Sequence, residues 1–278
     1  MRPSELVKCI NSRHHTRFTL KQRYATGEQG AFRLEDEHQH QYVLKYATAQ
    51  TQLGEAEVML QHLKQLGYPV PGYLFSGVIN EVSYLIQQAL PGTPLPVLPV
   101  TYLPQVLELN QLQRGQALKG PYDWPQRIIQ TVLYGGEGYC LLDPLKTYSE
   151  ASASLLARLH KIAQTQTSLK CRTQDIVHFD FTPANILVDQ GKISGVIDWQ
   201  DPCAGDCTFD LVTLMFYSFD DPAMWEGLKQ AILARIEPGL MQFYLAHLVL
   251  RQVDWSIRHH TQARVNYWLI VAEAALQL

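Results

Sequence analysis

Residues 177–210 constrain this chain more than any other stretch. His178, Asp180 and Asn185 stand in a His-x-Asp-x-x-x-x-Asn array, followed by two short apolar runs, and Asp198 closes the second run. The runs, 186–188 and 193–197, are rich in β-branched residues and predict strands. Between them Asp189-Gln190-Gly191-Lys192 carries turn chemistry, with Gly191 free to take positive φ. A hairpin folded there brings Asn185 and Asp198 to the same end.

An amide oxygen and a carboxylate converging on one point form a hard-oxygen site. Mg²⁺ suits such a site and keeps its other positions for water and phosphate. Asp180 precedes the first strand at that same end, where a second carboxylate can take a proton from an attacking hydroxyl. The bland alternative is a hairpin with solvated polar ends.

The stretch resembles the catalytic loop and metal-binding aspartate of the protein-kinase-like fold, and within it the aminoglycoside phosphotransferase and choline kinase branch. Protein kinases usually carry Arg between the His and the Asp, and Phe-Gly after the metal Asp. Here those positions hold Phe179 and Trp199-Gln200, while Gly205-Asp206 and Phe209-Asp210-Leu211 resemble the phosphotransferase pattern. The resemblance implies an α+β, two-lobed fold. A small lobe with an antiparallel sheet plus helix would span 1–92 and bind nucleotide, with a hinge at about 88–95. A mainly helical lobe over 93–278 would carry catalysis and the acceptor. It also implies ATP and Mg²⁺ as cofactors.

The rest of the chain supplies parts in a compatible order. Residues 18–45 read as strands, with Gly27 and Gly30 in a segment that is either a phosphate-cradling loop or a plain hairpin turn. Lys45 falls at the end of a strand over 41–46. By the resemblance its ammonium contacts the α and β phosphates; an exposed strand-end lysine is the plain alternative. Residues 54–66 read as a helix with Val58, Leu60, Leu63 and Leu66 as an apolar stripe. Glu57 on that helix is the candidate partner of Lys45, with Glu55 the alternative. A strand over 82–88 runs into a Pro- and Gly-rich segment that marks a linker. By the resemblance, backbone groups near Gln88 to Leu90 bind the adenine edge.

Helices are expected over 104–114, 124–133, 149–164, 239–260 and 262–278. After Asp198, Asp206 and Asp210 read as structural carboxylates at a helix start, and by the resemblance an Asp here braces the catalytic loop. Asp201 is a substrate candidate. Arg251, Asp254, Trp255 and Arg258 share one helix face. Either they form intrahelical ion pairs, or Trp255 is a platform and Asp254 an anion in an acceptor pocket.

Composition excludes several classes. A formal charge of −3 over 278 residues argues against a nucleic-acid partner. No apolar run reaches membrane-spanning length, and no signal-like start is visible, so a cytoplasmic protein is expected. The five cysteines are scattered and read as reduced thiols. The function these features favour is transfer of the γ-phosphate of ATP to a hydroxyl of a small molecule, aminoglycoside-, amino-alcohol- or sugar-like. Asp201 and Asp254 raise the option of a cationic acceptor. The alternatives are a protein kinase, for which 199–210 leaves little room for an activation loop, and a nucleotide-binding module without catalysis.

Overall fold

Strand pairing organises the first third of the chain. The computed structural model describes residues 1–24, 30–48, 53–54, 56–118, 123–165 and 170–277. In chain order its elements are α1 (Pro3–His14), β1 (Thr19–Arg23), β2 (Ala31–Glu35), β3 (Gln41–Thr48), α2 (Glu57–Gln65), β4 (Tyr73–Ile79), β5 (Val82–Gln88) and β6 (Thr93–Pro94). There follow α3 (Leu103–Gln113), α4 (Trp124–Tyr134), α5 (Leu142–Tyr148), α6 (Glu150–Thr165), β7 (Asp175–Val177), β8 (Ile186–Asp189), β9 (Lys192–Val196) and β10 (Cys203–Gly205). The chain ends with α7 (Thr208–Tyr217), α8 (Pro222–Leu233), α9 (Pro238–His259) and α10 (Gln262–Ala275). No helix among the described residues is long and apolar enough to cross a membrane.

Two compact units result. The first comprises Met1–Pro94 and Asn185–Asp201, and the second Leu95–Ala184 and Pro202–Leu278. In the first, β1 to β5 form an antiparallel sheet in the order β1-β2-β3-β5-β4. Leu6, Val7 and Ile10 of α1 bury against Phe18, Leu34, Leu44, Tyr84 and Ile86. The α1 helix is absent from the elements expected from the sequence. Its signals are Pro3 in the first turn and the three- and four-residue spacing of its buried positions.

Two local expectations need correction. The strand carrying Lys45 does not end there: β3 runs to Thr48 because β5 pairs with it as far as Thr48↔Val82. Lys45 is therefore flanked on both sides, by Ala31 and Leu85. The α2 helix starts at Glu57, and Val58 is 67% exposed rather than part of the apolar stripe. Two residues of helix turn a side chain through about 200°, so Leu60 facing the core sends Val58 outward.

The β8–β9 hairpin groups with the first unit for packing reasons. Gln190 and Gly191 both take positive φ, 47° and 76°, between the paired Asp189 and Lys192, which is the two-residue turn that suits strand twist. β8 pairs with β6, and Ser194 Oγ donates to the Pro91 carbonyl at 2.6 Å. Gly92 sits at φ 97°, and a Cβ there would lie 2.5 Å from Ser194 Oγ. The 91–94 segment thus lies against the hairpin.

Among the described residues the second unit is mainly helical, with a short β7–β10 pair. All but one residue of α7 is buried, as is most of α9. Trp124 at the start of α4 is wholly buried, and its indole N–H donates to Tyr244 Oη at 3.0 Å. Edge-on rings of Phe179, Phe209 and Tyr244 surround it. This aromatic cluster lies directly under the loop that carries Asp180.

Candidate functional site

In the first unit the hairpin and the sheet bring two expected residues together across 153 positions of sequence. Lys45 Nζ donates to Asp198 Oδ1 at 2.7 Å. The lysine side chain is 16% exposed and the carboxylate 40%, so the pair opens to solvent from the Asp198 side. The Asp198 backbone is left-handed at φ 68°, a conformation that costs a non-glycine residue about 1–3 kcal/mol. Its neighbour anchors it: Trp199 is buried, donates its indole N–H to the Val196 carbonyl at 2.9 Å and meets Tyr68 edge-on.

Asn185 stands at the same end of the hairpin, as its carbonyl accepts the Ile197 N–H at 2.9 Å. Glu57 is half-buried and accepts from Gln61 Nε2 at 3.1 Å; the cation it was expected to hold is on Asp198 instead. Tyr73 enters the same neighbourhood without a sequence signal. Its hydroxyl donates to the Trp199 carbonyl at 3.5 Å, and burial, then the charges of Asp198 and Glu57, push its phenol up.

In the linker, the Gln88 N–H is spent on the Gly72 carbonyl and the Ala89 N–H on the Gln41 carbonyl. Leu90 packs by its side chain over Gly195, where a Cβ would lie 2.7 Å from Leu90 Cδ1. Gly30 opens β2 at φ 68°, next to the Arg23 side chain. Gly27 and Glu55 lie outside the described residues. Asp201 is exposed at the end of the first unit.

In the second unit Asp180 follows a strained residue. Phe179 has φ 73°, rare for an aromatic side chain. Two neighbours hold it. Asp210 accepts the N–H groups of His178 at 2.8 Å and Phe179 at 3.0 Å, and also Gln113 Nε2 at 2.7 Å. Burial pushes the Asp210 carboxyl above the ordinary range, opposed by His178 and these donors. From α9, Arg251 donates to the Phe179 carbonyl at 2.7 Å. His178 is buried and its Nδ1 accepts the Asp180 N–H at 3.2 Å, so it supports the loop. The Asp180 side chain itself is 51% exposed.

The α9 face differs from either simple reading. Arg258 holds both oxygens of Asp254, at 2.7 and 2.8 Å, and Asp254 is fully buried. Arg251 turns away to the Asp180 loop. Trp255 meets the His259 ring at a tilt, ring centres 3.9 Å apart, and the Arg258 guanidinium lies 5.4 Å from the Trp255 ring centre. Asp254 is thus committed to Arg258 and offers no open carboxylate to a cation.

A strand lysine on a hairpin aspartate, and a braced Asp180 loop ahead of that hairpin, define a protein-kinase-like fold. The chain belongs to the phosphotransferase enzyme family, whose profile matches residues 22–244. It is 26% identical over 196 residues to hygromycin-B 4-O-kinase of Escherichia coli, spanning 63% of this chain and 56% of that protein, little more than half its length. A thermostable mutant of aminoglycoside phosphotransferase APH(4)-Ia, solved with AMP-PNP and hygromycin B, superposes with a TM-score of 0.75 at 19% identity, over 97% of each chain. Choline kinase LicA of Streptococcus pneumoniae gives 0.68 at 14% identity, over 99% of each. At these identities the two structures speak for the fold.

Proposed function

We propose that this protein transfers the γ-phosphoryl group of Mg²⁺-ATP to a hydroxyl of a small molecule. The observation that carries the reading is the Lys45–Asp198 contact at 2.7 Å. It unites a phosphate-seeking cation and an oxygen ligand on separate elements, beside Asn185. An amide oxygen and an open carboxylate are the hard donors Mg²⁺ takes. Asn185 and Asp198 would hold the ion, which when bound neutralises charge on the phosphates.

The protein's own groups do the remainder. Lys45 leaves Asp198 and binds the α and β phosphates, so one resting ion pair is exchanged for two ligand contacts. The backbone of 88–90 offers the adenine edge its carbonyl groups and the Leu90 N–H. Asp180 orients the acceptor hydroxyl and takes its proton as the oxygen attacks phosphorus. Phosphoryl transfer is mainly positioning and charge stabilisation, which fits a carboxylate held on a braced loop. The relatives' hygromycin B and choline support a small polar acceptor with hydroxyl groups. A cationic acceptor would have to find its anion elsewhere than Asp254, with Asp201 the remaining candidate among those expected.

A screen of radiolabelled phosphate transfer from ATP across aminoglycosides, amino alcohols and sugars tests the reading. Asp180→Asn should retain AMP-PNP binding and lose about 10²–10⁴-fold in turnover. Wild-type-like transfer by that variant would sink the assignment of Asp180.

A further inference from the structure

The loop 177–185 contains no Lys or Arg, yet a guanidinium reaches it. Arg251, well inside α9, forks over Asp180 and the residue before it. Nη1 donates to the Phe179 carbonyl at 2.7 Å and Nη2 to Asp180 Oδ1 at 3.3 Å. These two acceptors flank one peptide unit, so a single planar group fixes both the direction of the backbone and the aim of the carboxylate.

The placement is enclosed rather than superficial. The Arg251 side chain is 15% exposed, against 51% for Asp180. Its guanidinium carbon lies 5.7 Å from the Phe179 ring centre, and Arg127 lies 4.6 Å from that centre. Burial works against the Arg251 charge, but Tyr217 and Asp180 outweigh it and keep the group protonated. The Tyr217 hydroxyl is tied to Gln252 Oε1 at 2.6 Å, next to Arg251 in the chain, so this wall of the cluster is itself fixed.

Asp210 and Arg251 divide the work on the strained Phe179. Asp210 takes the N–H groups on its amino side, and Arg251 takes the carbonyl on its carboxyl side. Without Arg251 the Phe179 carbonyl and the Asp180 carboxylate lose the two contacts that this guanidinium makes. We infer that Arg251 is the positioning residue for Asp180, holding the loop turn and the carboxylate in one orientation for proton abstraction. The inference rests on the reading of Asp180 as base. An arginine is suited to it because a lysine ammonium is a point donor without the fork.

The test compares Arg251→Met, which keeps the aliphatic stem, and Arg251→Lys, which keeps the charge, on the full chain. Hydrogen–deuterium exchange of residues 177–184 is measured beside phosphate transfer from Mg²⁺-ATP to water and to hygromycin B. In Arg251→Met the loop should exchange about tenfold faster, the loss of a charge-assisted bond. Transfer should fall about 10²-fold, with KM for ATP within about twofold, and Arg251→Lys should lie between it and wild type in both measurements. Wild-type exchange in Arg251→Met, or wild-type transfer by Arg251→Met, overturns the inference.

Where neither acceptor is phosphorylated, exchange decides alone. Where Arg251→Met fails to fold, Arg251→Lys against wild type decides: slower transfer or faster exchange supports the fork, and equality in both removes it. Asp180→Asn separates the two ideas. If that variant transfers normally, the base reading falls; if it is inactive while Arg251→Met behaves as wild type, only the Arg251 assignment falls.

Discussion

Asp198 in the first unit and Asp254 in the second each have a cation 2.7 Å away, yet they are built for opposite fates. Asp198 lies 40% open at the end of a hairpin, held by one lysine. Asp254 is wholly enclosed in α9 and gripped on both oxygens by a planar guanidinium. A partly open pair in high dielectric contributes little to stability and can be traded for a ligand. A buried pair is costly to form and costlier to break, because one charge would remain without water or partner. Distance alone does not separate an exchangeable contact from a structural one; exposure and the number of donors do.

The strongest way to break that comparison is to remove Asp198. Asp198→Ala should abolish the thermal shift given by Mg²⁺-AMP-PNP while altering stability of the unliganded protein by no more than about 1 kcal/mol. A drop of several kcal/mol in urea unfolding would show that Asp198 is structural after all. The mirror experiment is Arg258→Met, which strands the Asp254 charge and should cost about 3–5 kcal/mol, read as a lower urea midpoint. A smaller effect is expected for Lys45→Met. The proposed metal ligands remain, so nucleotide affinity should fall by roughly tenfold, the weight of one charge-assisted contact, with stability little changed.

The smallest effect concerns pH. His247 lies beneath the Asp180 loop among Phe179, Phe209 and Tyr139, fully buried, with no hydrogen-bond partner for either ring nitrogen among the described residues. Burial, then the charges of Arg251 and Arg127, hold its basicity well below that of a free histidine. The unfolded chain therefore binds a proton near pH 6.5 that the folded chain refuses. Stability from this group is present above about pH 6.5 and is lost as pH falls below it, by about 1.4 kcal/mol between pH 7.5 and 5.5. Replacing the ring with an apolar one, His247→Phe, should flatten that part of the stability profile by the same amount. An unchanged slope would assign the acid sensitivity to other groups.

Much of the candidate site is legible in the residues themselves. Asn185, the Gln190-Gly191 turn and Asp198 fall within one hairpin, where local propensity and turn chemistry act over a few positions. Lys45 is legible through its place in the family pattern, and Asp210 both through that pattern and as a structural carboxylate at a helix start. Other features depend on neighbours far along the chain. The Tyr73 hydroxyl reaches Trp199 from β4, and α1 supplies core to a sheet that begins after it. Val58 follows the apolar pattern and still faces solvent, since a nine-residue helix uses one narrow face.

The two α9 arginines mark where the sequence stops being sufficient. Arg251, Asp254 and Arg258 have equally good intrahelical spacings, and the sequence does not say which pair forms. The sequence by itself determined the hairpin, its oxygen donors and the aspartate ahead of it, because their geometry is set by adjacent bonds. Only the tertiary structure decided that Arg258 takes Asp254 while Arg251 turns to Phe179 and Asp180. A buried guanidinium goes where carbonyl and carboxylate oxygens converge, and that convergence exists only once α7, α9 and the loop have packed.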